Sequence, residues 1–364
     1  MFKDKFFLFL ILAILIMVFI VSGLSRSLIF QRGKFLKETI KEPVYSKGIY
    51  ITFRTAGNKR VDEIIELIKR TELNTVVIDV KDYTGRIPFD TDSDVINEIG
   101  SEKIYIKDIK ELINKFHKEG IYTIARIVVF EDNYLPEKMP YLALKKSNGS
   151  LWKDYRGLTW LDPAAQDVWD YTIEIAKQAA KAGFDEINLD YIRFPSDGDI
   201  SSIHYPFWDY ETPKKEVIRQ FFEYISKRIK PMGVFLSADL FGLTLVSETD
   251  LNIGQWLEYA GLYFDYICPM VYPSHYPEGH DGFNNPAEHP YEIIHDDLVI
   301  GIERLASISA PAKLRPWLQD FDLGARYDAE KIILQKQAVY DAEAFGWLLW
   351  NPKNIYTEDG LIGN

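Results

Sequence analysis

The sequence predicts a (β/α)8 barrel, a TIM barrel, preceded by an N-terminal transmembrane helix. Between residues 47 and 352, eight short apolar stretches with strand-like patterns alternate with stretches of helical pattern. This alternation is typical of a parallel sheet covered by helices, and eight repeats are the number that closes a barrel. An open doubly wound sheet is the alternative. It would normally carry a glycine-rich phosphate loop after its first strand, and Arg54-Thr55-Ala56-Gly57 is not such a loop.

The chain begins with an apolar segment. Phe6–Val21 is unbroken, and Leu24 extends it to about the length that spans a bilayer. No clear cleavage site follows, so an uncleaved anchor is favoured over a removed signal peptide. The preceding lysines place the body of a single-pass cell-membrane protein outside the cytoplasm, whereas the basic residues after the segment oppose this orientation. We expect an anchor at residues 1–24, a polar stalk at 25–46, the barrel at 47–352 and a C-terminal tail at 353–364.

The strands and helices of the barrel follow from two periodicities. Alternating or continuous runs of apolar residues predict strands, and apolar residues spaced three and four apart predict helices. Strands are expected at Gly48–Phe53, Thr75–Val80, Tyr122–Phe130, Phe184–Pro195, Val234–Leu240, Tyr266–Tyr272, Arg315–Phe321 and Gly346–Asn351. Helices are expected at Lys59–Arg70, Lys107–Glu119, Ala164–Ala182, Lys214–Lys230 and Ala329–Ala344. Gly120 and Gly183 suit helix ends, and Asp162-Pro163 suits a helix start.

Composition excludes several classes of function. The net charge is −12, and an acidic surface repels phosphates, so no nucleic-acid partner is expected. A single cysteine, Cys268, excludes both an internal disulfide and a cysteine-cluster metal site. The six histidines form neither a His-x-His pair after the first strand nor a His-Glu-x-x-His motif. We therefore expect no metal and no cofactor.

The stretch FDEINLDYIRFP, Phe184–Pro195, carries the first candidate residue. Ile187 and Leu189 alternate with Asn188 and Asp190, so the strand has one apolar and one polar face. The helices outside a barrel pack against the apolar face of each strand, so the polar face of this strand points into the barrel interior. A carboxylate at the carboxyl end of a barrel strand lies where barrel enzymes keep their catalytic groups, and this makes Asp190 a catalytic candidate.

Charged and aromatic residues also follow the other strands. Carboxylates suit bonds to hydroxyl groups, and aromatic rings suit stacking on the apolar face of a sugar. The candidate substrate-binding residues are Asp79, Lys81, Asp82, Arg193, Tyr272, His275, Trp317, Gln319, Asp320 and Trp350. The alternative is structural: Asp79 and Lys81 could form an ion pair, and Arg193 could neutralise a neighbouring carboxylate.

The central stretch resembles the fourth strand of chitinase-type barrels, glycoside hydrolase family 18. That family carries D-x-x-D-x-D-x-E, with the final glutamate as proton donor. Asp185, Asn188 and Asp190 match the spacing loosely, but Ile192 stands at the glutamate position. Chitinase chemistry is therefore not expected.

A longer series of motifs resembles a bacterial family described as a putative glycosyl hydrolase domain of unknown function. The motifs are Lys47-Gly48-Ile49-Tyr50, Val77-Ile78-Asp79-Val80-Lys81-Asp82, Trp160-Leu161-Asp162-Pro163, FDEINLDYIRFP, Ser237-Ala238-Asp239-Leu240-Phe241-Gly242, Pro269-Met270-Val271-Tyr272-Pro273-Ser274-His275-Tyr276 and Trp317-Leu318-Gln319-Asp320-Phe321. The resemblance implies a barrel of the glycoside hydrolase clan over about residues 47–352.

Together, these features predict a glycoside hydrolase that acts on a cell-envelope or exported polysaccharide or oligosaccharide. Such hydrolysis uses two carboxyl groups. Asp190 and Asp239 lie on adjacent predicted strands, about 5 Å apart across the sheet, and are the expected pair. Asp190 is expected to be the nucleophile or stabiliser and Asp239 the acid/base. The alternatives are a catalytically inactive carbohydrate-binding barrel at the membrane surface and, weakened by the missing metal ligands, a deacetylase-like or lyase activity.

Overall fold

The computed structural model of the chain describes residues 42–362. The predicted membrane helix, residues 1–24, lies outside the described residues, as does the predicted stalk up to residue 41. Among residues 42–362, no helix is long and apolar enough to cross a membrane. The structure therefore describes the predicted barrel and most of the predicted C-terminal tail.

A closed barrel of parallel strands forms the centre of the structure. The strands are β1 (Ser46–Ile51), β2 (Thr75–Lys81), β3 (Tyr122–Val128), β4 (Glu186–Asp190), β5 (Phe235–Phe241), β6 (Tyr266–Met270), β7 (Lys313–Leu314), β8 (Trp317–Gln319) and β9 (Gly346–Trp350). Strands β1 to β6 pair in sequence order, β8 pairs with β9, and β9 pairs with β1, which closes the ring. This confirms the predicted (β/α)8 barrel.

The seventh barrel strand is divided into β7 and β8. The break includes Pro316, which has no N–H to donate between strands. Ile267 of β6 pairs with Leu314, and Met270 pairs with Trp317, so the register is the same on both sides of the break. The two pieces therefore occupy one strand position, and the barrel has eight positions.

Helices cover the outside of the barrel. They are α1 (Phe53–Ala56), α2 (Arg60–Arg70), α3 (Asp94–Ile99), α4 (Ile109–Lys118), α5 (Leu135–Lys138), α6 (Gln166–Ala182), α7 (Lys214–Ile229), α8 (Leu257–Tyr263), α9 (Pro290–Ser307) and α10 (Ala329–Asp341). In α2 the predicted apolar stripe of Val61, Ile64, Ile65 and Ile68 is buried. As predicted, Gly183 ends α6 in the left-handed conformation, with φ of 105°.

Alternate residues of the strands form two separate apolar cores. Ile49 and Ile51 of β1, like Val76 and Ile78 of β2, face outward into the core beneath the helices. The inward-facing core lies inside the barrel and consists of Tyr50, Val77, Ile124, Tyr266, Cys268, Tyr272, Trp317 and Leu348. Because strand side chains point to opposite faces in turn, polar residues in the inward register must lie inside the barrel.

A buried ion pair occupies the amino-terminal half of the barrel interior. Arg315 donates two hydrogen bonds to Glu186, one of them from Nη1 to Oε2 at 3.1 Å. Ser237 Oγ donates to Glu186 Oε1 at 2.5 Å, and Tyr122 donates to Oε2 at 3.1 Å. Both charged side chains are fully buried. We call this group the lower cluster.

Candidate active site

The carboxyl ends of the strands surround a cavity of about 420 Å³. This volume is within the range of clefts that bind small molecules. Seven of the predicted site residues line it: Asp190, Arg193, Asp239, Tyr272, His275, Trp317 and Trp350. The fold therefore brings together residues from strands β4, β5, β8 and β9 and from the loops after β4 and β6.

Arg126 of β3 connects three carboxyl groups at the base of this cavity. Its Nη1 donates to Asp79 Oδ1 at 2.6 Å, and its Nη2 and Nε donate to Asp190 Oδ2 at 2.5 and 3.1 Å. The same Nε lies 3.9 Å from Asp239 Oδ2. One guanidinium thus fixes the relative positions of carboxyl groups from β2, β4 and β5. We call these four residues the upper cluster.

Asp239 is held through only one of its oxygens. Asn188 Nδ2 and Trp317 Nε1 each donate to Asp239 Oδ1 at 2.8 Å. Oδ2 accepts no hydrogen bond from the described residues, and Asp239 lines the cavity. The side chain is therefore oriented by its neighbours and keeps one oxygen for a ligand.

The upper cluster has three carboxyl groups for one guanidinium. Burial raises the pKa of Asp239 well above its usual range, and the charge of Asp190 raises this pKa further. Burial also raises the pKa of Asp79, to about 6, against the opposing effects of Arg126 and of the Tyr50 hydroxyl. Burial alone would lower the pKa of Arg126, but Asp190 and Asp79 hold this pKa well above its usual value. The cluster therefore combines a charged arginine with an Asp239 carboxyl group whose protonated form is favoured by its surroundings.

The chain turns sharply directly after Asp190. Tyr191 has a φ of 52°, in the left-handed region that non-glycine residues rarely adopt. In this conformation its backbone N–H donates to Asp190 Oδ1 at 2.6 Å. Strain of this kind costs about 1–3 kcal/mol and persists where the surrounding structure imposes it. The predicted strand Phe184–Pro195 thus ends at Asp190, and the turn fixes the carboxylate.

Aromatic rings form one side of the cavity. Trp350 stacks on Tyr50, with ring centroids 3.9 Å apart, and Trp317 meets Trp350 edge-on at 5.6 Å. The guanidinium of Arg126 lies 5.1 Å from the centre of the Trp350 ring. The cavity therefore combines an apolar ring surface with a charged base.

Two predicted binding residues, Arg193 and His275, line the cavity and have no ion-pair partner among residues 42–362. Arg193 packs over the rings of Phe241 and Trp160, 4.7 and 4.9 Å from their centres. It donates to Ser196 Oγ at 3.0 Å, and no described carboxylate lies in ion-pair distance. Burial lowers the pKa of Arg193 and also that of His275, whose ring meets Tyr272 edge-on.

Asp79 and Lys81 do not pair with each other. A register shift between them places Asp79 in the upper cluster and changes the direction in which the Lys81 side chain points. Lys81 Nζ donates to the Val128 carbonyl at 2.6 Å and pairs with Asp132 at 2.7 Å, fully buried. Asp79 thus lies beneath the cavity beside Arg126, whereas Lys81 supports the loop after β3.

Three further predicted binding residues lie away from the cavity lining. Asp82 accepts a hydrogen bond from Thr84 N at 2.9 Å within a turn. Gln319 Oε1 accepts from Ser274 Oγ at 2.8 Å. Asp320 accepts from the backbone and hydroxyl of Thr357, at 2.8 and 2.7 Å, and so fastens the C-terminal residues to the barrel. Each of these three side chains is engaged in local structure.

The sequence prediction missed the residue that organises the site. The predicted site residues do not include Arg126, although it stands two residues after the inward-facing Ile124 on β3 and pairs with Asn188 of β4. A cation at an inward position of a strand is the signal that could have identified it. Glu131, whose pKa burial raises to about 7, was also missed; it lies just beyond β3, 4.0 Å from Arg156.

Residues 48–356 match the model of a family described as "putative glycosyl hydrolase domain". The chain belongs to this family. A search of curated proteins found no match.

Several solved structures are similar to this chain. A hypothetical protein from Ruminiclostridium thermocellum is 40% identical, with a TM-score of 0.48, over 52% of this chain and 96% of that one. The glycoside hydrolase domain of PgaB (BpsB) from Bordetella bronchiseptica is 12% identical, with a TM-score of 0.63, over 88% and 100%. A chitobiase from Flavobacterium johnsoniae is 11% identical, with a TM-score of 0.53, over 85% of this chain and 45% of its own length. The last two share the barrel fold of this family member.

Proposed function

We propose that this protein hydrolyses glycosidic bonds with Asp239 as proton donor and Asp190 as the ionised partner. The observation that carries the proposal is that both carboxyl groups face one cavity and approach the same Arg126 Nε, at 3.9 and 3.1 Å. Hydrolysis of a glycoside requires one protonated and one ionised carboxyl group on either side of the scissile bond. In the upper cluster, burial raises the pKa of Asp239, whereas Arg126 donates two hydrogen bonds to Asp190.

Asp239 has the properties of the general acid. Its raised pKa favours the protonated carboxyl group, because burial and the charge of Asp190 both disfavour ionisation. Asn188 and Trp317 hold Oδ1, which leaves Oδ2 to carry the proton toward the glycosidic oxygen. The same group then serves as base for the water that completes hydrolysis.

Asp190 has the properties of the charged partner. Arg126 and the Tyr191 N–H supply three hydrogen bonds to its two oxygens, and such bonds are charge-assisted when the carboxylate is ionised. A fixed negative charge beside the sugar stabilises the positive charge that develops on the ring in the transition state. Asp190 acts in this position as nucleophile or as electrostatic stabiliser.

The substrate is proposed to be a cell-envelope or exported polysaccharide. The Trp350 ring, which stacks on the buried Tyr50, offers an apolar face to a sugar, and Tyr272 and Trp317 extend it. The location outside the cytoplasm belongs to this proposal and rests on the apolar leader, Phe6–Val21.

A carbohydrate-binding barrel without catalysis is the second candidate. It is favoured by the hydrogen bonding of Asp190, because three of its about four acceptor sites are already occupied and only one, on Oδ1, is left for a nucleophilic attack. A barrel of this kind would use the same aromatic surface and would release no product.

The test is to incubate the full-length chain with oligosaccharides from bacterial cell walls and exopolysaccharides and to analyse the products by mass spectrometry. We expect cleavage by the wild type, none by Asp239→Asn, and wild-type cleavage by the control Asp82→Asn, which alters a carboxylate outside the cavity. Tight oligosaccharide binding without product from the wild type would contradict the hydrolase and favour the binding barrel.

A further inference from the structure

Arg193 is a buried cation in the cavity lining that has no counter-ion. The residue is only 6% exposed, and it stands in the loop that follows β4, three positions after Asp190. No carboxylate among residues 42–362 lies within ion-pair distance of its guanidinium. Buried charges are normally paired, because an unpaired charge is costly to remove from water. The position therefore lacks the anion that a buried arginine requires.

The guanidinium of Arg193 uses only one of its three nitrogens. Nη1 donates to the Phe194 carbonyl at 3.1 Å and to Ser196 Oγ at 3.0 Å. An arginine has five N–H donors, so those of Nε and Nη2 have no acceptor in the described part of the chain. These two nitrogens form one edge of the planar group, which can bind both oxygens of a carboxylate through parallel hydrogen bonds. This edge is left for a ligand in the cavity.

Other arginines of the protein use the same edge to bind a carboxylate. Arg304 donates from Nε and Nη2 to the two oxygens of Glu258, each at 2.8 Å. Arg126 directs the same two nitrogens to Asp190, at 3.1 and 2.5 Å. In Arg193 the corresponding edge carries no carboxylate, although the residue is as deeply buried as Arg126.

Aromatic rings hold the Arg193 guanidinium in place. The centres of the Phe241, Trp160 and Tyr191 rings lie 4.7, 4.9 and 5.2 Å from its central carbon. Such rings attract a cation through their faces but carry no net charge to neutralise it. The guanidinium is therefore positioned before any ligand arrives, and this preorganisation lowers the cost of binding.

The nearest acidic groups act on Arg193 from a distance only. The charges of Glu131, Asp190 and Asp197 favour its charged form, yet burial outweighs them and lowers the pKa of Arg193. Asp190 belongs to the upper cluster, and Asp197 Oδ1 accepts a hydrogen bond from the backbone of Tyr155 at 3.1 Å. The positive charge of Arg193 is thus uncompensated at short range.

We propose that Arg193 binds the carboxylate of a hexuronic acid residue and so selects an acidic polysaccharide. This proposal rests on the proposed function, because it takes the cavity to be a sugar-binding site. A singly charged carboxylate matches one guanidinium edge. A doubly charged terminal phosphate would add a second negative charge near Asp190 and Asp197, and Arg126, the other arginine of the cavity lining, is already paired.

The test compares the binding of uronic acids and of neutral sugars to the full-length chain by NMR titration. The probes are the methyl glycosides of glucuronic, galacturonic and mannuronic acid. Each is paired with the methyl glycoside of its neutral hexose, which carries a hydroxymethyl group in place of the carboxylate. We expect the wild type to bind at least one uronic acid about 10–100-fold more tightly than its neutral partner, as hydrogen bonds to a charged group provide.

Substitution of Arg193 should change the ratio of the two affinities. In Arg193→Gln we expect the uronic acid to bind about 10–100-fold more weakly and the neutral sugar to bind within about twofold of the wild type. A purely structural role would weaken both ligands alike. Arg193→Lys keeps the charge but lacks the paired N–H edge, so it should retain only part of the preference. It carries the test if Arg193→Gln does not fold.

The matched control is Arg156→Gln. Arg156 has a side chain 56% exposed, 4.0 Å from Glu131, and it does not line the cavity. Its substitution removes the same charge near the same loop, and we expect binding like that of the wild type.

The proposal is overturned if the wild type binds no uronic acid or shows no preference for one. It is also overturned if the full preference survives in Arg193→Gln or Arg193→Lys, or is lost in Arg156→Gln. A wild type that prefers uronic acids but cleaves no glycan would contradict the proposed hydrolysis and support the role of Arg193. A wild type that cleaves neutral glycans without this preference would do the reverse.

Discussion

The lower and upper clusters are both buried inside one barrel, and β4 contributes a carboxylate to each. In the lower cluster, Glu186 and Arg315 balance one to one, and Ser237 and Tyr122 complete the hydrogen bonding of the carboxylate. In the upper cluster, four residues later on the strand, three carboxyl groups share Arg126. A balanced buried pair has no reactive group left over. In the unbalanced cluster, burial and the charge of Asp190 raise the pKa of Asp239, and the proposed general acid needs a raised pKa.

The largest expected effect is on catalysis by the upper cluster. Asp190→Asn and Asp239→Asn should each lower kcat by three orders of magnitude or more, about 4–8 kcal/mol of barrier at about 1.4 kcal/mol per tenfold change. Steady-state kinetics on the substrate identified by product analysis provides the measurement. Full activity in either variant would remove that residue from the catalytic pair.

The next largest effect should be on the stability conferred by the lower cluster. Glu186→Gln leaves Arg315 buried without a counter-charge and should lower the free energy of unfolding by about 3–5 kcal/mol. Asp190→Asn should cost clearly less, because Arg126 retains Asp79 at 2.6 Å. Denaturant unfolding of both variants measures the difference. Equal losses of unfolding free energy in the two variants would contradict the stated difference between the lower and upper clusters.

A smaller effect should appear in the pH dependence of stability. The pKa of Asp79 is raised from its usual 3.8 to about 6, so the folded state binds this proton more tightly than the unfolded state. The resulting stability is present below about pH 4 and is lost as the pH rises to about 6. The unfolding free energy of Asp79→Asn minus that of the wild type should therefore increase between pH 4 and pH 6 and then level off. A difference that is constant across this range would contradict the assigned pKa.

The smallest effect is expected for a carboxylate near the strand ends but outside the cavity. Asp82 accepts hydrogen bonds from the backbone and hydroxyl of Thr84, and an asparagine can accept the same bonds. Asp82→Asn should change the free energy of unfolding by no more than about 0.5 kcal/mol and leave kcat unchanged. A catalytic loss in this variant would show that the site extends beyond the described cavity.

The barrel and its two main carboxylates could be predicted from sequence for a simple physical reason. Alternation along a strand separates inward from outward residues. Ile187 and Leu189 of β4 face outward, whereas Asp190 of β4 and Asp239 of β5 stand at inward positions near the carboxyl ends of their strands. That pattern is local, so it is visible without a structure.

The pairing of charges could not be predicted in the same way. The orientation of Lys81 depends on the register shift after Asp79, and the end of β4 depends on the left-handed conformation of Tyr191. The types of the residues indicate neither the register shift nor the left-handed conformation. The contact between Asp320 and Thr357 joins residues 37 positions apart, and alternation within a strand carries no information on such contacts.

The central claim is that Asp239 is the proton donor and therefore carries its proton at neutral pH. Infrared spectroscopy of protein labelled with 13C at the aspartate carboxyl groups tests it most directly, because protonated and ionised carboxyl groups absorb at different frequencies. We expect the wild type at pH 7 to show a protonated aspartate band that is absent from Asp239→Asn and present in the control Asp82→Asn. A wild type without this band, or a band that persists in Asp239→Asn, would contradict the claim.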